Sequence, residues 1–418
     1  MAARSAAPDG GTSKARPGYL RNGWNTEVAL SPGSAPRPFL IALVAIALVT
    51  IAGLFLLWPD GSSKVELGAA PTGETVPAQI ESLRSDPCPP PLQGDCLSGE
   101  VLLEEGPESG ETVKVELSSG GPAPSFSVGD SVRVARATFG GQEPVYSVVD
   151  FERRAPMLWL AIFFVALVLL FGRLRGALSL IGLGASLAVV LVFIVPAILD
   201  GESPLAVALI GSMAVMLLTI LLAHGWGPKS LAAILGTGVS LSLVGLLAVL
   251  FTNLTNLTGF SSEEAAILAT NDSGISVSGL LIAGMVIGAL GVLDDVTISQ
   301  SSTVMALKAA DPAQGFGTVY RRAIEVGRDH VSATVNTLVL AYVGSSLPVL
   351  LIFGSGELGI IDAINLEIVA KEIVATLVGS IGIIAAVPIT TALAAWMSGA
   401  MDAEEVRLAA EDGHHHHH

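Results

Sequence analysis

The sequence predicts an α-helical, multi-pass membrane protein that carries a small β-barrel outside the bilayer. Of its 418 residues, 51% are hydrophobic and only 14% are charged, and the mean hydropathy is +0.67, a composition typical of membrane proteins. Apolar stretches of about 20 residues, the length that crosses a hydrocarbon core, recur along the chain. One segment of short alternating strands separates the first of these stretches from the others.

We expect eight transmembrane helices, the last seven of which form a bundle over residues 156–399. Residues 1–37 are rich in Ala, Gly, Pro and Ser and are predicted to be disordered. Residues 400–418 are predicted to be a tail, and we interpret its five final histidines as an expression tag. The predicted helices cover residues 38–58, 156–172, 177–199, 205–223, 230–251, 275–293, 331–353 and 373–398.

The basic residues of the short loops predict the orientation of the chain, because cytoplasmic loops are enriched in Lys and Arg. With the N-terminus inside, seven basic residues lie in cytoplasmic loops, and only Lys371 lies in the opposite loops. We therefore expect both termini in the cytoplasm of a bacterium and residues 60–155 outside its plasma membrane. The seven residues are Arg173, Arg175, Lys229, Lys308, Arg321, Arg322 and Arg328.

Residues 60–155 are predicted to form a β-rich domain. Val113 and Val115 alternate with polar neighbours, as do Val132 and Val134, and this period of two is typical of half-buried strands. Four or five such strands within 98–151 suggest an OB-like or SH3-like barrel. The segment also holds the only cysteines, Cys88 and Cys96, which we expect to pair in an oxidising compartment.

The domain is acidic, with 16 acidic and seven basic residues between positions 60 and 155. The whole chain carries a formal charge of −16, which argues against nucleic acid as a partner. The lipid bilayer and an ion or small-molecule substrate are the expected partners. Whether the chain forms a homo-oligomer stays open.

The candidate functional residues begin where the sixth predicted helix becomes polar. Asp294 and Asp295 end an apolar stretch, and a carboxylate near hydrocarbon usually faces a protein interior or a water-filled path. They are candidates to bind or relay a coupling cation, the only cofactor we consider. Adjacent residues of a helix point about 100° apart, so both can face one ligand only if the helix breaks. Gly288 and Gly291 would allow such a break.

Other readings of the two aspartates stay open. They could cap a helix, or they could pair with Arg321, Arg322 or Arg328.

Gly284 and Gly288 form a small-xxx-small pair that favours close helix packing. Further candidates are polar residues of the sixth and seventh predicted helices that could supply neutral ligands or govern a cytoplasmic mouth: Thr297, Ser299, Ser302, Asp329, Asn336 and Thr337.

A short internal repeat is suggested by matching motifs. Gly172-Arg173 precedes a helix that contains Pro196, and LIGSM follows at residues 209–213. Gly327-Arg328 precedes a helix that contains Pro348, and LVGSI follows at residues 377–381. The motifs predict two parallel triplets of helices, two to four and six to eight, with the fifth helix as a connector. Transporters built from repeats bind substrate at the repeat interface.

Three segments carry a family resemblance: LIAGMVIGALGVLDDVTISQSS from Leu281, GRDHVSATVNTLVLAYVGSSLP from Gly327 and EIVATLVGSIGIIAAVPITTALAA from Glu372. In this order they resemble the YibE/F-like family of bacterial multi-pass membrane proteins, over residues 98–399. The resemblance implies a permease-like protein and supplies no substrate.

The function expected from these observations is that of a secondary transporter or exporter of an ion or small solute, coupled to protons or cations through Asp294 and Asp295. Two alternatives from other classes stay open. One is a membrane scaffold or sensor that uses the extracytoplasmic barrel. The other is an intramembrane enzyme that uses Mg²⁺, although the sequence contains no Walker A, HExxH or GxSxG motif.

Overall fold

The computed structural model describes residues 36–61, 75–88, 95–119, 124–137, 144–261, 275–354, 359–401 and 406. The predicted N-terminal disorder and the histidine tag lie outside these residues, apart from Pro36 and Arg37. The described chain consists of one five-stranded barrel and a bundle of α-helices.

The helices follow the apolar stretches of the sequence. They are α1 Arg37–Leu56, α2 Arg154–Val189, α3 Val195–Leu199, α4 Pro204–His224, α5 Pro228–Leu254, α6 Val277–Ala310, α7 Phe316–Ser345, α8 Leu347–Gly354, α9 Ile360–Asn365 and α10 Glu367–Gly399, with a π-helical turn, Val190–Ile194, joining α2 to α3. Within the described residues six helices, counting α2 to α3 as one, are long and apolar enough to cross a membrane, and α7 with α8 makes a seventh if this pair, bent by 65°, is one span. The chain is therefore a membrane protein.

Helix α2 reverses direction at Arg173, where the sequence predicts a loop between two spans. Arg173 has φ 49° and ψ −130°, outside the helical region. A Cβ atom on Gly176 would lie 2.3 Å from the carbonyl oxygen of Val168. Residues eight apart in a continuous helix are about 12 Å apart, so the two halves of α2 fold back on each other.

The barrel is closed by β1 Thr75–Pro87, β2 Asp95–Leu103, β3 Thr112–Ser119, β4 Ser131–Ala137 and β5 Val145–Phe151 in the order β1-β2-β3-β5-β4. All pairings are antiparallel except β3 with β5, which is parallel. Val115, Val132 and Val134 point into the core, as their alternation predicts. The first strand begins at Thr75, before the predicted limit at residue 98. A bulge between Ile80 and Ser82 interrupts its alternation, so the sequence pattern does not show the whole strand.

Two features hold the barrel strands in place. Cys88 and Cys96 form a disulfide beside the antiparallel pair of β1 and β2. Gly99 lies where β1 bulges between Ile80 and Ser82, and a Cβ atom there would be 2.4 Å from the carbonyl oxygen of Ser82. Only glycine allows this approach of the two strands.

Glu152 joins the barrel to the membrane helices. Its carboxylate accepts hydrogen bonds from the Arg154 side chain at 2.8–3.0 Å and from the Arg154 backbone N–H at 2.9 Å. It also pairs with Arg133 of β4 at 3.3 Å. One side chain thus connects β4 with the first turn of α2.

The centre of the bundle is formed by α5, α6 and α10, which bury one face against each other. Glycines permit the closest contacts. A Cβ atom on Gly236 of α5 would be 2.1 Å from the Thr390 hydroxyl oxygen of α10, and one on Gly382 of α10 would be 2.3 Å from Val244 of α5. The fifth helix is therefore central in the packing as well as a connector in sequence.

The predicted packing face at Gly284 and Gly288 is wrong. Among the described residues, no atom comes within 4 Å of a Cβ atom built on Gly284, and only the Tyr342 hydroxyl oxygen, at 3.6 Å, comes near one on Gly288. Both residues are exposed, because the closely packed side of α6 is the opposite one.

The predicted repeat is not reproduced by the helix contacts. Gly211 of the first motif packs on Ile194, two residues before Pro196, whereas Gly379 of the second packs on Leu338, ten residues before Pro348. The two halves therefore pack differently at the matched glycines, and the repeat stays a prediction.

Candidate functional site

Helix α6 carries both aspartates in its middle and runs unbroken from Val277 to Ala310. Asp294 is about 26 Å from the start of this helix at 1.5 Å per residue. The break that Gly288 or Gly291 would allow is not formed, and neither aspartate caps a helix end. Because the helix is regular, the two side chains point in different directions.

Asp294 faces α4 and is mostly buried. Its Oδ2 accepts a hydrogen bond from the Thr219 hydroxyl at 2.9 Å. Its Oδ1 is buried and has no hydrogen-bond partner among the described residues. The Thr219 hydroxyl also lies 2.9 Å from the Val215 carbonyl oxygen of its own helix. A hydroxyl has one hydrogen, so Thr219 donates either to Asp294 or to Val215.

Asp295 faces α7 and lines a cavity of about 430 Å³ between the two helices. Gly291 and Val292 complete the α6 side of the cavity. The α7 side is formed by His330, Ala333, Thr334, Thr337, Leu338 and Ala341. The single cation site expected at both aspartates is therefore not formed, because one carboxylate faces α4 and the other faces this α6–α7 cavity.

Thr297, predicted as a ligand, is fully buried on the opposite side of α6 from the cavity. Its hydroxyl lies 2.6 Å from that of Thr237 on α5 and donates to the Asp294 carbonyl oxygen at 3.2 Å. The contact thus holds α5 and α6 together next to the Asp294 backbone.

Gln300 and Ser301 extend this buried contact toward the end of α6. The Gln300 amide donates to the Ala323 carbonyl oxygen of α7 at 2.8 Å and to the Thr391 hydroxyl of α10 at 2.7 Å. Ser301 donates to the Lys229 carbonyl oxygen of α5 at 2.6 Å. A Cβ atom on Gly327 would be 2.7 Å from Gln300 Oε1, so the glycine makes room for the amide. These bonds join α5, α6, α7 and α10 on the C-terminal side of the aspartates.

The remaining predicted residues do not join one site. Ser299 and Ser302 are half-buried on the Asp295 side of α6 and do not line the cavity. Asp329 and Asn336 are exposed on α7. Thr337 does line the cavity, and its hydroxyl donates to the Ala333 carbonyl oxygen at 3.0 Å.

Sequence reasoning missed Thr219, Gln300 and His330. His330 lies across the cavity from Asp295, and its Nε2 is buried without a hydrogen-bond partner among the described residues. Thr219 is one of two hydroxyl residues, with Ser212, in an otherwise apolar helix, and such a signal is too common to point to a site. The sequence signal for Gln300 is clearer, because an amide within a membrane helix needs hydrogen-bond partners.

The ion pairs between arginines and the two aspartates, which the sequence leaves open as an alternative, are not formed among the described residues. The four ion pairs among the described residues all lie in the barrel or at its junction with α2. None involves Asp294 or Asp295. The described residues also contain no group of three or more His, Cys, Asp or Glu side chains placed to hold a metal ion.

A second cavity, of about 860 Å³, lies at the other end of the bundle between the end of α5 and the helices α9 and α10. Glu367 at its edge accepts hydrogen bonds from the Thr258 hydroxyl at 2.7 Å and from the Gly259 backbone N–H. This carboxylate therefore ties the loop after α5 to the start of α10.

The apolar helices, with a buried carboxylate in the middle of one of them, define an integral membrane protein with polar chemistry inside its bundle. The sequence profile of the YibE/F-like protein family matches residues 160–399, more than half of the chain, and the chain belongs to this family. The match covers the helices after the barrel and does not extend to residue 98. No curated protein matches the chain, and no solved structure matches it.

Proposed function

We propose that the protein is a secondary transporter of a small solute or ion, coupled to protons through Asp294. The observation that carries this proposal is the contact between Asp294 and Thr219. The same heavy-atom positions allow a hydrogen bond between Asp294 and Thr219 in both protonation states of the carboxylate. Ionised Asp294 accepts the Thr219 proton. Protonated Asp294 donates to the Thr219 oxygen, and Thr219 then donates to the Val215 carbonyl oxygen.

The position of Asp294 supports a role in coupling. A carboxylate within a membrane helix is costly when charged and is found mainly on ion and proton paths. No lysine or arginine pairs with it among the described residues, so a proton or a bound cation must balance its charge. Its Oδ1 is buried without a hydrogen-bond partner there, which adds to the cost of the ionised form.

The proposed arrangement in the membrane has eight spans, with both halves of α2 counted separately and α7 with α8 taken as one. Both termini and the Arg173 reversal then lie in the cytoplasm of a bacterium, and the barrel lies outside the plasma membrane. The strand order β1-β2-β3-β5-β4, closed with β3 parallel to β5, favours an OB-like barrel over an SH3-like one.

Charge movement in proteoliposomes tests the proposal. Vesicles that contain the purified protein are fixed on a solid support, and the current that follows a pH jump is recorded. We expect a current in the wild type and in Thr219→Ser, which keeps the hydroxyl, and none above protein-free vesicles in Asp294→Asn. Thr219→Val should reduce it, because Asp294 then loses its hydrogen-bond partner in both protonation states.

The matched control is Glu325→Gln, which removes an exposed carboxylate of α7 and should leave the current unchanged. A wild-type current that persists in Asp294→Asn would contradict the proposal. So would a wild-type protein that gives no current above protein-free vesicles.

A further inference from the structure

We propose that the α6–α7 cavity is the substrate site and that it binds a small amphiphilic ammonium ion, with the charged head at Asp295 and the apolar body against α6 and α7. This inference deepens the proposed function by naming the class of substrate. It follows from the shape, lining and charge of the cavity.

The ionisable groups of the cavity lie at one end, and the hydroxyls of Thr334 and Thr337, further along α7, donate to carbonyl oxygens of their own helix. Helices α6 and α7 are consecutive and antiparallel, so Asp295 and His330 are close to the same level. Moving away from that level, the lining becomes Val292 on α6 and Leu338 and Ala341 on α7. A ligand that fills the space therefore meets a carboxylate and an imidazole at one end and hydrocarbon at the other.

The charge of the lining selects a cation. It contains one carboxylate, Asp295, and no lysine or arginine. Because Asp295 is exposed on a helix that crosses the membrane, a cationic group reduces the cost of its charge there. The Nε2 of His330, buried and without a partner among the described residues, can accept a hydrogen bond from an ammonium N–H when the ring is neutral.

The size and walls of the cavity favour an organic ion over a bare metal ion. A volume of about 430 Å³ is within the range of small-molecule sites, roughly 300–1,000 Å³, and exceeds what one inorganic ion needs. No cluster of three metal-ligating side chains exists among the described residues. Apolar walls stabilise a hydrocarbon body, and a bare ion would gain nothing from them.

A row of glycines keeps this side of α6 open. Gly284, Gly288 and Gly291 share a face with Asp295, at helical spacings of four, three and four residues. No atom lies within 4 Å of a Cβ atom built on Gly284 or Gly291. Gly291 lines the cavity, whereas Gly284 lies about 10 Å further along the helix at 1.5 Å per residue. A large side chain at Gly291 would therefore fill the cavity, and the same side chain at Gly284 is the matched control.

The experiment is calorimetric titration of the full chain in lipid nanodiscs, with empty nanodiscs as the reference. The probes are benzylammonium, neutral benzyl alcohol, benzoate and Na⁺ alone. We expect saturable binding of benzylammonium, with benzyl alcohol and benzoate at least about tenfold weaker, a difference of about 1.4 kcal/mol. Asp295→Asn should abolish the preference for the cation. Gly291→Leu should abolish binding, and Gly284→Leu should bind as the wild type does.

Several results would overturn the proposal. One is equal binding of benzyl alcohol and benzylammonium, and another is unchanged binding in Gly291→Leu. A third is heat from Na⁺ alone that saturates and depends on Asp295, which would mean a simple ion site. Crosslinking of Asp295→Cys to its copy in a dimer would show that a second chain occupies the cavity.

The two proposals fail separately. Binding needs no proton gradient, so the wild type should bind benzylammonium whether or not it gives a pH-jump current. If it binds benzylammonium and gives no pH-jump current, the transport proposal fails and the site stands. If the current depends on Asp294 and benzylammonium does not bind, the coupling proposal stands and the site fails.

Discussion

Adjacent aspartates on one helix have different surroundings because of helix geometry alone. A rotation of about 100° per residue directs Asp294 to Thr219 on α4 and Asp295 to the cavity beside α7. A pair that reads in sequence as one site is therefore two sites in the structure. The proposed functions follow this division, with the proton at Asp294 and the substrate at Asp295.

Outside the membrane helices, Glu152 gives a pH dependence to the junction between barrel and bundle. Hydrogen bonds from the Arg154 side chain and backbone N–H, and a weaker one from Arg133, lower the pKa of the Glu152 carboxyl from 4.5 to about 2. A carboxyl whose pKa is lower in the folded protein stabilises the fold above the pKa of the unfolded chain. This stabilisation is lost as the pH falls from about 4.5 to 2.

We therefore expect the melting temperature of Glu152→Gln to be below that of the wild type at pH 7, with the difference shrinking below pH 4.5 and disappearing near pH 2. Circular dichroism of the strand signal in detergent measures it. The control is Glu81→Gln, a carboxylate of β1 that takes part in no ion pair among the described residues. A Glu152→Gln difference that is constant with pH would contradict the prediction.

At the scale of elements, the bundle depends on which glycines face a neighbouring helix. Gly236 allows α5 to approach Thr390 of α10. Gly284, part of the motif that the sequence singles out, contacts nothing on a neighbouring helix. The spacing of glycines alone does not predict which of them will be in an interface, because that depends on how each helix is rotated.

Gly236→Ala should therefore destabilise the bundle by about 1–3 kcal/mol, the usual cost of overpacking, since its Cβ atom would lie 3.0 Å from Thr390 Cβ as well as 2.1 Å from the hydroxyl oxygen. The matched control is Gly238→Ala on the same helix, whose Cβ atom would lie 3.5 Å from its nearest neighbour, Ile46. Thermal unfolding in detergent compares the two. Equal melting temperatures would show that α5 and α10 adjust without cost.

At the scale of the whole molecule, the reversal at Arg173 decides the topology. If α2 and α3 formed one span, Arg173 would lie within the bilayer, whereas two spans place it at a membrane surface, the cytoplasmic one in the proposed arrangement. In a background of Cys88→Ser and Cys96→Ser, we expect Arg173→Cys to react with an impermeant maleimide only in inverted membrane vesicles. Glu325→Cys should behave alike, and Ser109→Cys in the barrel should react only from the outside.

An Arg173→Cys that reacts from neither side would contradict the eight-span arrangement, and one that reacts from the outside would invert it. The two control positions show that each side is accessible to the reagent.

Much of the fold follows from local sequence. The positions of the helices, the reversal near Arg173 and the barrel strands with regular alternation, such as Ser131–Ala137, were predictable from apolar length and period. The full first strand, the extension of α7 back to Phe316 and the unbroken course of α6 were not. These depend on pairing with distant strands or on neighbouring helices that cover polar residues.

The sequence by itself determined that this is a membrane protein with a barrel domain, that it belongs to its family, and that an apolar helix carries two adjacent aspartates, because hydrophobicity and charge are properties of each residue. Only the tertiary structure decided that Asp294 meets Thr219, that Asp295 and His330 share a cavity, and that Gln300 joins three helices. Those relations depend on the rotation and packing of separate helices, which many residues fix together and no short motif encodes.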